Sequence, residues 1–458
     1  MPLRARVVRT AAALAASSLL GAFLGGAGAP PAGAEPATGS STPSASTSSS
    51  SPTTTTPATT TPTGTSASTT GGTPIGTVVT VPLTIAANCS VDVTSKLTSW
   101  IASVPDGSTL RLLPGGCYRI EGTVLVKDRN GLTIDGNGAT LRAFTVGSGT
   151  WGQVQTRNHL RFWGGRDLTV RNLVIRGVNA DHRYHREYAG HHAFALVGVT
   201  NALIENNTVS EVYGDFVMVQ SNLYRDWRWS DGVVVRNNNF SYSGRQGFSV
   251  VGGRNVTFSG NQVNSTGITA VDIEPDGLTG YDAHGFPTGS GAANVKVVDN
   301  RFSGKFGGIF FSAGGYAGKV DGVEVSRNIL DGVPFFAWVT GTAEVPRSGF
   351  TFTGNVSNTP TGGPRSAFEL TYVNGAVVTG NTIPNFVRTY AKLPPDKVAM
   401  RLWGATAVQA VHNDFTGAAS VLLADVNWDG TPWTGRKSTW AQCGNRYWWP
   451  DPRVDVTC

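Results

Sequence analysis

Residues 244–277 read GRQGFSVVGGRNVTFSGNQVNSTGITAVDIEPDG. The stretch holds a short strand pattern around Phe248 and Val250, a turn at Asn261, and a second strand pattern around Val271 and Ile273. Successive side chains on a strand point to opposite faces, so Val271 and Ile273 share one face and Asp272 and Glu274 the other. If the apolar face is the core, the two carboxylates stand outside, side by side.

The unit recurs along the chain. An apolar residue three places before an asparagine occurs at Ile134/Asn137, Ile204/Asn207, Val235/Asn238, Phe258/Asn261, Val297/Asn300, Val325/Asn328, Phe352/Asn355, Val378/Asn381 and Ala410/Asn413, and Asn172 after Val170 is a variant one residue shorter. Successive asparagines are 23 to 39 residues apart, the span of one solenoid coil. A second strand pattern follows most of them: Phe216/Met218, Phe248/Val250, Val271/Ile273, Ile309/Phe311, Phe336/Trp338, Phe368/Leu370 and Val421/Leu423. A coil of this size cannot bury its apolar face alone, so coils stack, and the asparagine amides satisfy buried backbone groups of neighbouring turns. A β-propeller has longer blades with a different signature, and a leucine-rich horseshoe needs a leucine consensus that is absent. The reading is all-β: a right-handed parallel β-helix of about ten or more coils. The one convincing helical stripe, Val91, Val93, Leu97, Trp100, Ile101 and Val104, precedes the strands and predicts an N-terminal capping helix.

The 58 glycines suit a chain of many turns. Arg4, Arg6 and Arg9, an apolar run from Ala11, and the small residues ending at Ala34 have the order of a secretory signal peptide, here 1–34. Its removal takes away three arginines and no acids, lowering the net charge from +6 to +3. That charge offers no case for a nucleic-acid partner. Residues 35–79 are dominated by Ser, Thr, Pro, Ala and Gly and read as a disordered linker, leaving 80–458 as the folded domain. Four cysteines fall as two local pairs, Cys89 with Cys117 and Cys443 with Cys458. Without a CxxC spacing, two disulfides are expected in an exported chain; connectivity stays open at this point.

PDGSTLRLLPGGCYRI (105–120), NGLTIDGNGATL (130–141) and DLTVRNLVIRG (167–177), with the asparagine repeat, resemble the opening coils of the pectate lyase and polygalacturonase superfamily. The resemblance spans roughly residues 88–440 and implies the β-helix fold and action on polysaccharide. The NTD, DD and RIK motifs of polygalacturonases are not found as such; Gly214-Asp215 and Asp272-Ile273-Glu274 stand in place of an Asp-Asp pair.

Aligning the second strands places Asp215, Arg245 with Gln246, and Asp272 with Glu274 in three consecutive coils, about 4.8 Å apart. Carboxylates so grouped suit glycosidic cleavage, one donating a proton while another activates water or attacks. Arg245 and Gln246 then bind substrate. The other reading is a structural salt-bridge ladder, since Glu369 and Arg401 take the outward position of Asp272 in later coils. The loop DHRYHREYAGHHAF (181–194) holds His182, His185, His191 and His192; His185, His191 and His192 are candidate substrate ligands, and a metal is disfavoured for want of a ligand spacing. Tyr224, Trp227 and Trp229 follow the Asp215 strand, where sugar rings could stack. The tryptophans from Trp428 to Trp449 read as a cap on the last coil.

The leading expectation is therefore a secreted, monomeric glycoside hydrolase without cofactor, acting on a polysaccharide, with Asp215, Asp272 and Glu274 catalytic and no membrane association after signal cleavage. The alternatives are a polysaccharide lyase acting on a uronate-containing polymer, in which Asp272, Glu274 and Asp276 could hold Ca²⁺, and a non-catalytic carbohydrate-binding surface protein.

Overall fold

The computed structural model describes residues 76–458 except 148–149, 152–153, 156, 223–227, 276–278, 282–286, 290, 315–317, 359–365, 385–397 and 449–452. The signal segment and all but the last few residues of the linker stretch lie outside the described residues.

Three parallel sheets of thirteen, eleven and ten strands run the length of the molecule, each strand pairing with its counterpart one coil away. Along most of the stack a coil contributes one strand to each sheet in turn, which is the winding of a parallel β-helix; parallel crossovers take the right-handed sense. The first strand, Val78–Thr80, already pairs with Thr109–Arg111. The predicted helix is α1, Thr94–Ser103. It starts where the Asp92 carboxylate accepts the Thr94 N–H at 3.0 Å, and stops before Pro105, whose ring disfavours the α conformation at Val104. Leu97, Trp100 and Ile101 cover Leu110, Leu112, Val124, Ile134 and Leu141, closing the end of the stack. Disulfides Cys89–Cys117 and Cys443–Cys458 bind the two ends, with Cα–Cα separations of 5.0 and 5.1 Å.

Between these ends the asparagines form a continuous internal ladder. From Asn207 through Asn238, Asn261, Asn300, Asn328, Asn355 and Asn381 to Asn413, each backbone N–H donates to the Oδ1 of the asparagine in the next coil at 2.9–3.1 Å. Each side-chain N–H2 bonds that same oxygen and a backbone carbonyl of the preceding coil, as Asn300 does with Phe258. Buried amide groups are thereby satisfied without water. Two expected members stand outside the ladder. Asn172, with φ of 55°, occupies the left-handed turn position that precedes the ladder place, as Asn206 does before Asn207, whereas Asn137, with φ of 53°, lies in a longer turn two residues before Ala139. Leu173 takes the ladder place in its coil and donates its N–H to Asn207. At the other end Asn445 extends the ladder, and Asp455 closes it by accepting from the Asn445 backbone and side chain at 2.7 and 2.8 Å.

The eleven-stranded sheet comprises β1 (Val124–Lys127), β2 (Leu160–Trp163), β3 (Phe194–Val197), β4 (Val217–Gln220), β5 (Gln246–Val250), β6 (Thr269–Ile273), β7 (Ile309–Ala313), β8 (Ala337–Thr340), β9 (Phe368–Thr371), β10 (Val398–Trp403) and β11 (Ser420–Ala424). Three of its strands are one residue out of phase with the sequence reading. Val217 and Val219, not Phe216 and Met218, pair with Phe248 and Val250; Ala337, not Phe336, pairs with Phe311; and Leu422 and Ala424, not Val421 and Leu423, pair with Met400 and Leu402. Phe216 is itself buried, packing on Phe240 with ring centroids 5.0 Å apart, so apolar residues on both faces erase the alternation that sets phase. No helix among the described residues is long and apolar enough to cross a membrane.

Candidate active site

Asp272 sits mid-strand in β6, and its register neighbours form one outward column: Arg161, Ala195, Met218, Ser249, Asp272, Ser312, Trp338, Glu369 and Arg401. Glu274 follows two residues later on the same face. Asp215 is not in this column; Met218 holds the corresponding place in β4. The one-residue shift in β4 puts Asp215 at the corner before the strand, where it is wholly buried. The expectation of an outward carboxylate at 215 is corrected accordingly.

Arg245 nevertheless ties Asp215 to Glu274. Its guanidinium donates to Asp215 Oδ2 at 3.0 Å and, from its other terminal nitrogen, to Glu274 Oε1. Asp215 is fully used: it also accepts from the Gln246 N–H at 3.1 Å and from Ser249 Oγ at 2.7 Å. Burial pushes its carboxyl up, while Arg245 and these donors pull it down. Gln246 expresses the same economy through its side chain, whose amide donates to Asp272 Oδ2. Asp272 is only 9% exposed, and its Oδ1 has no hydrogen-bond partner. Burial first, then the charge of Glu274, holds Asp272 well above the ordinary carboxylate range. Glu274 is also raised by burial, but Arg245 directly opposes the rise. The arrangement separates the pair: Asp272 tends to keep its proton, and Glu274 faces a cation that favours its charge.

The histidine loop is anchored across the corner of the coils. Gly244 leaves no room for a side chain: a Cβ would lie 2.7 Å from the Arg183 carbonyl, and one on Gly214 would lie 2.9 Å from that of Ala189. Asn179 adds a bond from its side-chain amide to the Arg183 carbonyl at 3.1 Å. Residues 183–189 are therefore seated over Gly214-Asp215 and Gly244-Arg245. Tyr184, next to Arg183, lies in the field of Arg245, Asp215 and Glu274, and burial raises its phenol.

His191 and His192 are buried rather than presented to substrate. Burial, with Arg157 and His192 acting on His191 and with Arg245 and Arg161 acting on His192, lowers both to about 3. His192 Nδ1 accepts the Asp215 N–H at 3.0 Å, which fixes a neutral ring with the other nitrogen protonated. His185 is turned to its own loop, 2.8 Å from Asp181 and 3.6 Å from Glu187. The three expected substrate ligands thus act within the fold, because the loop folds down onto the coil corner. The Trp229 ring lies against Gly291. Tyr224, Trp227 and Asp276 lie outside the described residues. At the far end, Trp428 is 45% exposed with Arg401 4.2 Å over its ring, and Trp440 is 47% exposed, so these two are less buried than a cap would be.

Ser249, Ser312 and Tyr184 were not singled out by the sequence reading. Ser249 and Ser312 flank Asp272 in register, a signal available once strand phase is known. Tyr184 lies within the quoted loop, but its proximity to Arg245 arises only from the fit onto Gly244. No cluster of three or more acidic, histidine or cysteine residues suited to a metal occurs among the described residues.

The family model for the right-handed beta helix region matches residues 118–277. No curated protein matches. Among solved structures, the hyperthermoactive exopolygalacturonase from Thermotoga maritima is similar at 12% identity over 82% of this chain and 92% of that one, with a TM-score of 0.56. The family 28 exopolygalacturonase of Yersinia enterocolitica is similar at 12% identity over 81% and 78%, with a TM-score of 0.50. At such identities the likeness is one of architecture: the chain is a right-handed parallel β-helix, the fold of these exopolygalacturonases.

Proposed function

We propose that this chain is a polysaccharide hydrolase whose working pair is Asp272 and Glu274. The observation that carries the reading is the asymmetry within the pair: Asp272 is buried beside Glu274 and held high, whereas Glu274 is bonded by Arg245. Asp272 gives its proton to the glycosidic oxygen as the bond to the anomeric carbon breaks. Glu274 takes a proton from the water whose oxygen attacks that carbon, leaving a new reducing end. Asp215 is reassigned from catalysis to positioning: sealed and fourfold engaged, it fixes Arg245, which in turn fixes Glu274. The fold supports the reading, since exopolygalacturonases carry it. The two disulfides and the signal-like first 34 residues support action outside the cell.

The test is a screen of the purified protein against plant, algal and bacterial-envelope polysaccharides, reading reducing ends and ultraviolet absorbance together. Hydrolysis gives reducing ends alone. An unsaturated, absorbing product would replace the proposal with a lyase, and binding without turnover would replace it with a carbohydrate-binding role.

A further inference from the structure

The coil corner that carries Arg245 holds a second arginine, Arg157, three coils earlier. Leu160, Phe194, Val217 and Phe248 are register partners in successive coils, so Arg157, His191, Gly214 and Arg245, each three residues before them, line one corner. The pairing runs into that corner. The His159 N–H donates to the His192 carbonyl at 3.0 Å, and the Asn158 side-chain amide donates to the Gly190 carbonyl at 2.7 Å. The Arg157 and His191 backbones are therefore about 4.8 Å apart.

The two arginines are served differently. Arg245 is half-buried and has two carboxylates, Asp215 and Glu274. Arg157 is 1% exposed and has no ion pair among the described residues; its Nη1 donates to the Ile120 carbonyl at 3.5 Å, and its Nε–H has no partner. The acid whose field reaches it is Glu121, and both oxygens of that carboxylate are taken, one by Arg119 at 2.7 Å and the other by the Thr145 hydroxyl at 2.6 Å. Burial accordingly lowers Arg157 to about 10. His191, in the next coil, is wholly buried with neither ring nitrogen bonded, its ring set between Tyr188 and Tyr213 at centroid distances of 5.4 and 6.1 Å. Gly147 closes the other side of Arg157: a Cβ there would lie 2.7 Å from Arg157 Cδ. Enclosed in this way, the pair is out of reach of a sugar or a polymer.

We propose that Arg157 and His191 bind a small monovalent inorganic anion of the size of chloride, which does for Arg157 what Asp215 and Glu274 do for Arg245. The guanidinium offers its Nε–H and its charge, and the neutral imidazole offers its one N–H. Water would accept the same hydrogen bonds but leave the buried charge uncompensated, whereas an anion meets both needs. The ion sits beneath the histidine loop, since His191 ends that loop and Tyr188 belongs to its Arg186–Tyr188 turn. It therefore pins the loop to the coil corner and lies apart from Asp272 and Glu274.

Thermal unfolding of the full chain tests this, at constant ionic strength, with chloride or bromide replacing gluconate, an anion too large for the site. The melting temperature should climb by about 3 °C or more up to about 100 mM chloride and then level off, and bromide should act alike. Over the same range the protein should broaden the chloride NMR line. Arg157→Met should abolish both responses, and His191→Leu should raise the half-saturating chloride concentration about tenfold or more. If Arg157→Met does not fold, His191→Leu is read in its place. Equal melting in chloride and gluconate overturns the proposal and leaves water as the partner of these N–H groups. A chloride response that survives either substitution unchanged places the ion elsewhere and overturns it equally.

Discussion

Asp272 and Glu274 lie on one strand face, yet their surroundings drive them apart, and the separation has consequences for stability as well as turnover. The folded Asp272 carboxyl is raised above its unfolded value of about 3.8, so the stability it contributes is present below that pH and is lost as pH rises through the folded pKa. Asp272→Asn removes this loss. The variant should melt at or above the parent, with its advantage growing from pH 4 upward, while turnover falls by two or more orders of magnitude; Glu274→Gln should do the same to turnover. A structural salt-bridge ladder forecasts the reverse, with lowered melting temperatures and no activity to lose. Arg245 behaves differently. Arg245→Ala leaves Asp215 buried without its counter-charge, at a cost of about 3 kcal/mol or more in urea unfolding. Asp215→Asn in the same background should recover part of that loss.

At the scale of elements, the asparagine ladder and the histidine loop are the two devices that hold the site sheet in place. Asn300 takes part in bonds to Phe258, Val298 and Asn328 and accepts from Asn261, all buried. Asn300→Ala orphans groups in both neighbouring coils and should lower stability by about 3 kcal/mol, measured by chemical unfolding. Asn172→Ala, at an exposed turn position outside the ladder, should cost much less than that. The loop contributes a pH dependence of opposite sense to Asp272. His191 and His192 are lowered to about 3 in the folded chain, so the unfolded chain takes up protons first. Their contribution is whole above about pH 6.5 and is lost as pH falls from there toward 3, at about 1.4 kcal/mol per pH unit for each ring. Unfolding free energies measured at pH 7 and pH 5 should show this loss, and His191→Gln should reduce it; an unchanged slope would mean that His191 titrates normally.

For the molecule as a whole, stability is distributed along a stack in which each coil touches its neighbours, and the ends are the weak points. Both disulfides lie at ends: Cys89–Cys117 beside α1 and Cys443–Cys458 around Asp455, which closes the ladder. Loops of 28 and 15 residues imply about 3 kcal/mol from each bridge. Reduction should therefore lower the melting temperature while the β-sheet circular dichroism persists at 25 °C. Loss of all β signal on reduction would show instead that the coils cannot stand without their ends.

The repeat of apolar residue and asparagine was legible as a stacked parallel β-helix because the requirement is local: each coil needs the same inward residues and the same amide at its turn. The pairing of the carboxylates at 272 and 274 was legible for the same reason, since strand alternation alone puts them on one face. Asn445 escaped the pattern because Gln442 replaces the apolar residue three places before it. The burial of Asp215 was not legible, because Phe216 and Val217 are both apolar and nothing in the chain says which of them faces inward. Nor was the inward turn of His191 and His192, or the approach of Tyr184 to Arg245. These depend on the fit of one loop against Gly214 and Gly244, residues distant in sequence whose missing side chains matter only when two coils and the loop meet. Periodic contacts repeat along the chain and leave a signature in it; a single non-repeating contact leaves none until the coils are stacked.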